Sequence, residues 1–399
     1  MIQSTRKATR EQTKQHNNRL VLSTIYQQGE VSRADIARTT HLTATTVSSI
    51  VVDYLEKGLV AETGSKLLAR GKPATLLSVV DNAYHLIGLD LARSEFQGAV
   101  MNLRGEKIHQ VGIPIEGQTG EAALNLVYNL IDQLLEKVES PLLGIGIAAP
   151  GIIDAENGIV RYAVNFGWYD LPLQDLLTER YDFPVQMAND NHVAVLAEQT
   201  FGNHTSNQDL VVLKVGHGVG AGIILNGQLF YGAGHGAGEI GHVRVVEDGE
   251  LCSCGNHGCL ETITSSRALV KRAQTIAEND PNSPLHQFAL NLEEMKIADV
   301  VHAFNVGDPA LQTLVEETGD ALGLALANVV GVLSVSTILV AGSVAGFGEP
   351  LLERMQTAVN TSSLSHVASH TQIELASLDQ NIVLLGTTAL LLSQELGVM

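Results

Sequence analysis

Gly238-Glu-Ile-Gly-His242 and, after nine intervening residues, Cys252-Ser-Cys254-Gly-Asn-His-Gly-Cys259-Leu-Glu261 form the stretch on which the fold of this 399-residue chain is read. All three cysteines of the chain fall inside it. An odd, clustered set makes a poor disulfide framework, whereas Zn²⁺ takes four nitrogen or sulfur ligands in a tetrahedron. Cys252, Cys254 and Cys259 offer three. His242, separated from them by a short apolar run able to fold back as a hairpin, is favoured as the fourth. His257 is the alternative, but the tight turn expected at Gly255 and Gly258 aims its ring outward. Three buried thiols without metal are the competing reading, and burial alone does not explain the clustering.

Gly-His, nine residues, then Cys-x-Cys-Gly-x-x-Gly-Cys-x-Glu resembles the zinc signature of the ROK proteins, a family of repressors, reading frames and sugar kinases. The resemblance covers residues 81–399. It implies an α/β, two-lobed, actin-like (ribonuclease H-like) sugar-kinase domain. The first lobe would be 81–188 plus about 383–399, and the second lobe, with the zinc site, 189–382. The text agrees with this order. Three short apolar runs (Leu86–Leu91, Phe96–Leu103, Lys107–Ile113) precede an amphipathic helix bearing Val127, Leu130 and Leu134, then a strand from Leu142 to Ala149. A second set follows at 210–216, 337–341 and 372–376, and the closing helix, 383–396, would return to the first lobe.

Charge divides the chain. The net charge is −19, yet residues 1–75 hold 11 Lys/Arg against 6 Asp/Glu. A basic head on an acidic body binds DNA by one end. The head, residues 1–80, reads as a winged helix-turn-helix domain. A helix over 14–28 stops at Gly29, and Ser32 caps a second helix with Asp35 in capping-box position. Thr43 caps a third, whose inward face is Val47, Ile50, Val51, Tyr54 and Leu55. Its outward face, Ala44, Thr45, Ser48 and Ser49, is small and uncharged, as entry into a major groove about 12 Å wide requires. Two wing strands follow, and the tip Arg70-Gly-Lys72-Pro resembles the minor-groove core of an AT-hook. The residues expected at DNA are Ser32, Arg33, Thr43, Ala44, Thr45, Thr46, Ser48, Ser49, Arg70 and Lys72, with Arg10, Lys14 and Arg19 on phosphates. A helical interaction module is the alternative for this head.

Kinases of the resembling family hold ATP at an Asp-x-Gly-Gly-Thr turn. Here that turn reads Asp90-Leu-Ala92-Arg93-Ser-Glu95: the glycine pair is gone and Glu95 brings a negative charge. The second glycine turn, 216–222, carries His217 where the kinases have Thr. No ATP is expected, and the chain is read as no enzyme. On the sugar side the resemblance implies ligands at Gly151, Asn165, Asn189, Asp190, Glu239, His242 and Glu261. Asp190 matches the kinase base but is read as a hydroxyl acceptor, and Trp168 is either a sugar platform or core. His242 would face zinc with one ring nitrogen and sugar with the other.

The expected function is a sugar-responsive transcriptional repressor that a monosaccharide or sugar phosphate releases from double-stranded operator DNA, with structural Zn²⁺, in a homodimer or homotetramer. An active ROK sugar kinase, or a regulator controlled by a protein partner, are the alternatives. The absence of a signal segment or long apolar run, together with reduced cysteines, points to the cytoplasm and away from the membrane.

Overall fold

The computed structural model describes residues 9–66, 73–92, 94–204, 208–378 and 381–398. The chain divides into two compact units. One comprises Met1–Gly151, Ala155–Met187 and Thr387–Met399; the other comprises Ile152–Asp154 and Ala188–Gly386.

The first unit begins with the winged head. Helix α1 (Arg10–Gln28) starts at a reciprocal Thr9/Gln12 cap and stops at Gly29, whose φ of +69° only glycine adopts easily. Strand β1 (Val31–Ser32), α2 (Arg33–Thr40), α3 (Ala44–Glu56), β2 (Val60–Lys66) and β3 (Ala74–Val79) follow. The wing has three strands, in the order β1-β3-β2, rather than the two expected from sequence, because Val31 and Ser32 pair with Leu77 and Leu76. The wing tip, with Arg70 and Lys72, lies outside the described residues.

Strands β4 (His85–Leu91), β5 (Glu95–Asn102) and β6 (Lys107–Pro114), helix α4 (Gly120–Leu135) and β7 (Leu142–Ala149) come next. After them run β8 (Ile152–Asp154), β9 (Ile159–Ala163), β10 (Trp168–Leu171), α5 (Leu173–Tyr181) and β11 (Val185–Asn189). The main sheet has the order β11-β7-β4-β5-β6, parallel between β4 and β7 and antiparallel through β5 and β6. Trp168 is core: it is 3% exposed, packs against Phe166 and Phe96, and donates its indole N–H to the Gly120 carbonyl at 2.9 Å. A buried indole with its one donor satisfied offers no face to a sugar.

The second unit repeats the pattern. Helix α6 (Asp190–Phe201) leads into β12 (Leu210–Val215), β13 (Val219–Leu225) and β14 (Gln228–Leu229). A helical stretch follows: α7 (Glu261–Thr264), α8 (Ser266–Asn279), α9 (Leu285–Phe288), α10 (Ile297–Asn305) and α11 (Pro309–Leu333). Then come β15 (Thr337–Ala341), α12 (Glu349–Ser362), α13 (Ser365–Ala368), β16 (Gln372–Leu375) and α14 (Ile382–Leu391). The sheet order is β14-β13-β12-β15-β16, again an antiparallel hairpin beside parallel strands. One face of β12 (Val211, Leu213, Val215) enters the unit's core with α8, α10, α11 and α12. Where the sequence suggests only a glycine turn, residues Val219–Leu225 form strand β13. Its alternating Gly220 and Gly222 lie against Asn191 and Val195, so they let α6 pack directly on the strand.

Helix α14 belongs to both units, with Gly386 the last residue of the second and Thr387 the first returned to the other. In the first unit Gly146 packs against Thr387, and the chain ends in a π-helical turn, Leu392–Leu396. That end meets α1: Arg19 Nη2 donates to the Gln394 carbonyl at 3.3 Å, and the Arg19 stem covers Gly397. Arg19, expected on phosphates, is exposed and also ties α1 to the carbonyl end of that turn, where a cation is favourably placed. A second clasp joins the head to its lobe. Tyr26 Oη donates to Leu103 O at 2.7 Å, while Arg104 donates to Tyr26 O at 2.9 Å, pairs with Asp81 at 3.0 Å and covers the Tyr26 ring at 4.2 Å. No helix among the described residues is long and apolar enough to cross a membrane.

Candidate effector site, metal centre and nucleic-acid interface

The metal centre is built by a folded-back loop. Bridges Arg244–Cys259 and Leu251–His257 run antiparallel and return the three cysteines to His242. His242 Nδ1 lies 3.5 Å from Cys252 Sγ, Cys254 Sγ lies 3.7 Å from Cys259 Sγ, and all four donor atoms fall within 4.8 Å of one another. At a Zn–S distance of about 2.3 Å, tetrahedral corners are about 3.8 Å apart, so the donor set fits that ion. Burial and the sister thiols push Cys259 up to about 12, a state that a coordinating cation relieves. His257 is outside the cluster. It is exposed, with Nδ1 3.2 Å from the Gly249 carbonyl.

The same loop carries the carboxylate Glu239, one of the residues expected on the sugar side. Gly238 and Gly241 flank it, and a Cβ on either would collide with the carbonyl of Ala221 or Val219. The loop is thereby fixed on β13, and Ala221 N donates to Gly238 O at 2.8 Å. His192, buried beneath it with Nε2 3.0 Å from Ala237 O, has its pKa lowered by burial. Glu239 Oε2 lies 3.7 Å from His242 Nε2, so the imidazole turns one nitrogen to the thiols and the other to the carboxylate. Burial raises Glu239 to about 7, with Asp190 and Glu261 adding to the shift. These carboxylates converge.

Asp190 opens α6, and Asn189, 4% exposed, caps it by accepting from Asn191 N at 2.8 Å. Asp190 Oδ2 is ion-paired with Lys214 Nζ. Sequence reasoning missed Lys214. The available signal was a lone cation in the apolar strand Leu210-Val-Val-Leu-Lys-Val215. Glu261 is more committed than expected: Oε2 accepts from Val219 N at 3.1 Å and Oε1 lies 3.5 Å from Arg267. Gly151 and Asn165 belong to the first unit. Gly151 has a φ of +91° and no room for a Cβ against the Tyr162 carbonyl, and Asn165 is exposed in a 3-10 turn, Val164–Phe166.

The nucleotide-side turn is altered. Ala92 follows β4, Arg93 lies outside the described residues, and the Glu95 carboxylate covers Gly112 and accepts from Gln97 at 2.9 Å. The negative charge expected at the phosphate position is thus held along the sheet, and the glycine pair of the kinase turn is absent from the sequence.

On the head, Thr43, Ala44, Thr45, Ser48 and Ser49 are exposed and Thr46 half-buried, while Val47, Ile50, Val51 and Tyr54 are buried beneath them. Thr43 accepts from Thr46 N at 3.2 Å. Ser32 is corrected. It is 4% exposed, and its hydroxyl is held by the α2 cap, accepting from Asp35 N and donating to the Asp35 carboxylate, so it is not available to DNA. Arg33 pairs with Glu62 at 3.2 Å, and Arg10 and Lys14 are exposed.

The chain is similar to the xylose repressor of Caldicellulosiruptor bescii, 31% identical over 388 residues that cover 96% of this chain and 97% of the relative. The solved ROK family transcriptional regulator homologous to the E. coli MLC protein superposes with a TM-score of 0.85 at 26% identity, covering 97% of this chain and 98% of that one. A ROK family glucokinase from Streptomyces griseus, solved with glucose and AMPPNP, gives 0.69 at 27% identity and covers 98% of its own chain but 76% of this one. The ROK family profile matches residues 86–394, and the chain belongs to the ROK family.

Proposed function

We propose that the chain is a sugar-responsive transcriptional repressor, not a sugar kinase. The observation that carries this is the joining of a winged head to a ROK body along the full length of regulators, where the glucokinase match stops short of the whole chain. The exposed small face of α3 fits a major groove, and Thr43, Ala44, Thr45, Thr46, Ser48 and Ser49 would reach base edges, with Arg33 beside them. Two copies would read half-sites about 34 Å apart, which favours a homodimer or a dimer of dimers on a pseudo-palindrome.

Within the second unit, Asn189, Asp190, Glu239, His242 and Glu261 would read sugar hydroxyls, and the family resemblance adds Gly151 and Asn165 of the first unit as further candidates. The metal would be a structural Zn²⁺ on His242, Cys252, Cys254 and Cys259, which fixes the His242 tautomer and the height of Glu239. Release of DNA requires that the sugar bind the two conformational states of the protein with different affinity. A mobility-shift titration on the chain's own upstream DNA, with D-xylose, D-glucose, N-acetylglucosamine and their phosphates, tests this. Release by one sugar is expected. ATP-dependent phosphorylation of any of them, or no binding to duplex at low salt, would refute it.

A further inference from the structure

The face of β12 turned away from the unit's core carries Leu210, Val212 and Lys214, and α6 packs on that strand. Lys214 stands in register with Gly220 of β13 and Ala341 of β15, neither of which brings a charge. An ammonium among such neighbours costs solvation unless it is paired, and an apolar side chain would suit the strand better. Lys214 pairs with Asp190, at the first turn of α6, with both side chains 21% exposed. Each carboxylate of the converging set has its own basic neighbour: Lys214 for Asp190, the His242 imidazole for Glu239 and Arg267 for Glu261. Two of those neighbours sit on the carboxylate's own loop or helix neighbourhood; Lys214 comes from a strand 24 residues away.

We infer that Lys214 is a positioning residue of the effector site: it orients the Asp190 carboxylate so that its remaining lone pairs accept a ligand hydroxyl. This rests on the sugar-responsive reading above. A carboxylate gripped through one oxygen by an ammonium has a defined direction for the other, whereas an ungripped one at a helix start rotates among rotamers. Lys214 therefore acts through Asp190 and not on the ligand, and the two residues form one functional unit whose effects are not additive.

The test is a double-mutant cycle in the full-length chain, read by calorimetric titration with D-xylose, D-glucose and N-acetylglucosamine and by thermal melting. Lys214→Met should weaken the bound sugar by about tenfold or more, and Asp190→Asn by a similar factor. The double variant should be no weaker than Asp190→Asn alone, and Lys214→Arg should restore most of the affinity. Additive losses, or a Lys214→Met chain that melts earlier but binds sugar as the wild type does, would overturn the assignment and leave Lys214 a stability residue. A wild-type chain that binds none of the three sugars would instead remove the effector reading, and this inference with it.

Discussion

The loop Gly238–Glu261 and the turn Asp90–Glu95 occupy matching importance in a ROK body, one for sugar and one for nucleotide, and they have had opposite fates in this chain. In the loop, four donor atoms lie within 4.8 Å, two glycines press it onto β13, and His242 faces both the thiols and Glu239. In the turn, the glycine pair has become Ala92-Arg93, and Glu95 has been drawn onto Gly112. A regulator needs to recognise a ligand and has no use for a triphosphate. Lost chemistry shows in a dismantled backbone turn, while a carboxylate such as Asp190 survives it in another use.

The comparison is broken most directly at the metal. Cys259→Ser should lose bound zinc, measured by elemental analysis, and weaken sugar-induced release of operator DNA by more than about tenfold, since ligand loss disorders the loop that holds Glu239. A zinc-free variant that responds normally would separate the metal from the site. Gly241→Ala should cost about 1–3 kcal/mol by forcing a methyl into the Val219 carbonyl, seen as a lower melting temperature with weaker sugar binding. Below these comes a pH effect. Burial lowers the His192 pKa, so the folded chain binds fewer protons than the unfolded one as pH falls below the ordinary histidine value of 6.5. That contribution to stability is present above 6.5 and lost on acidification, and His192→Phe should flatten the acid limb of the melting profile. The smallest expected effect is none. Restoring glycines with Ala92→Gly and Arg93→Gly repairs one turn but leaves His217 in the second glycine turn, so ATP turnover in a coupled assay should stay at background.

What the sequence made legible was short-range or periodic. The Cys/His motif spans few residues, the third helix of the head shows its inward and outward faces by spacing alone, and the two sets of strands follow apolar runs. What it hid was held by partners far along the chain. Arg19 reads as one more cation of a basic head, and its carbonyl partner is 375 residues away. Lys214 reads as an oddity in an apolar strand until α6 lays Asp190 beside it. The glycines of β13 resemble a phosphate turn, yet two of them are there for α6 to pack against. Ser32 was identified as a cap, but a cap whose hydroxyl is held by Asp35 cannot also be a contact.

The return of Thr387–Met399 to the first unit has a consequence for biosynthesis. The strands and head of that unit leave the ribosome early, yet the residues that pack on Gly146 and receive Arg19 are translated only after the whole of the second unit. The operator-reading end of a nascent chain therefore waits for its own tail. Premature termination anywhere before Thr387 should yield a head whose supporting lobe is left unfinished, prone to misassembly rather than to dominant occupation of DNA.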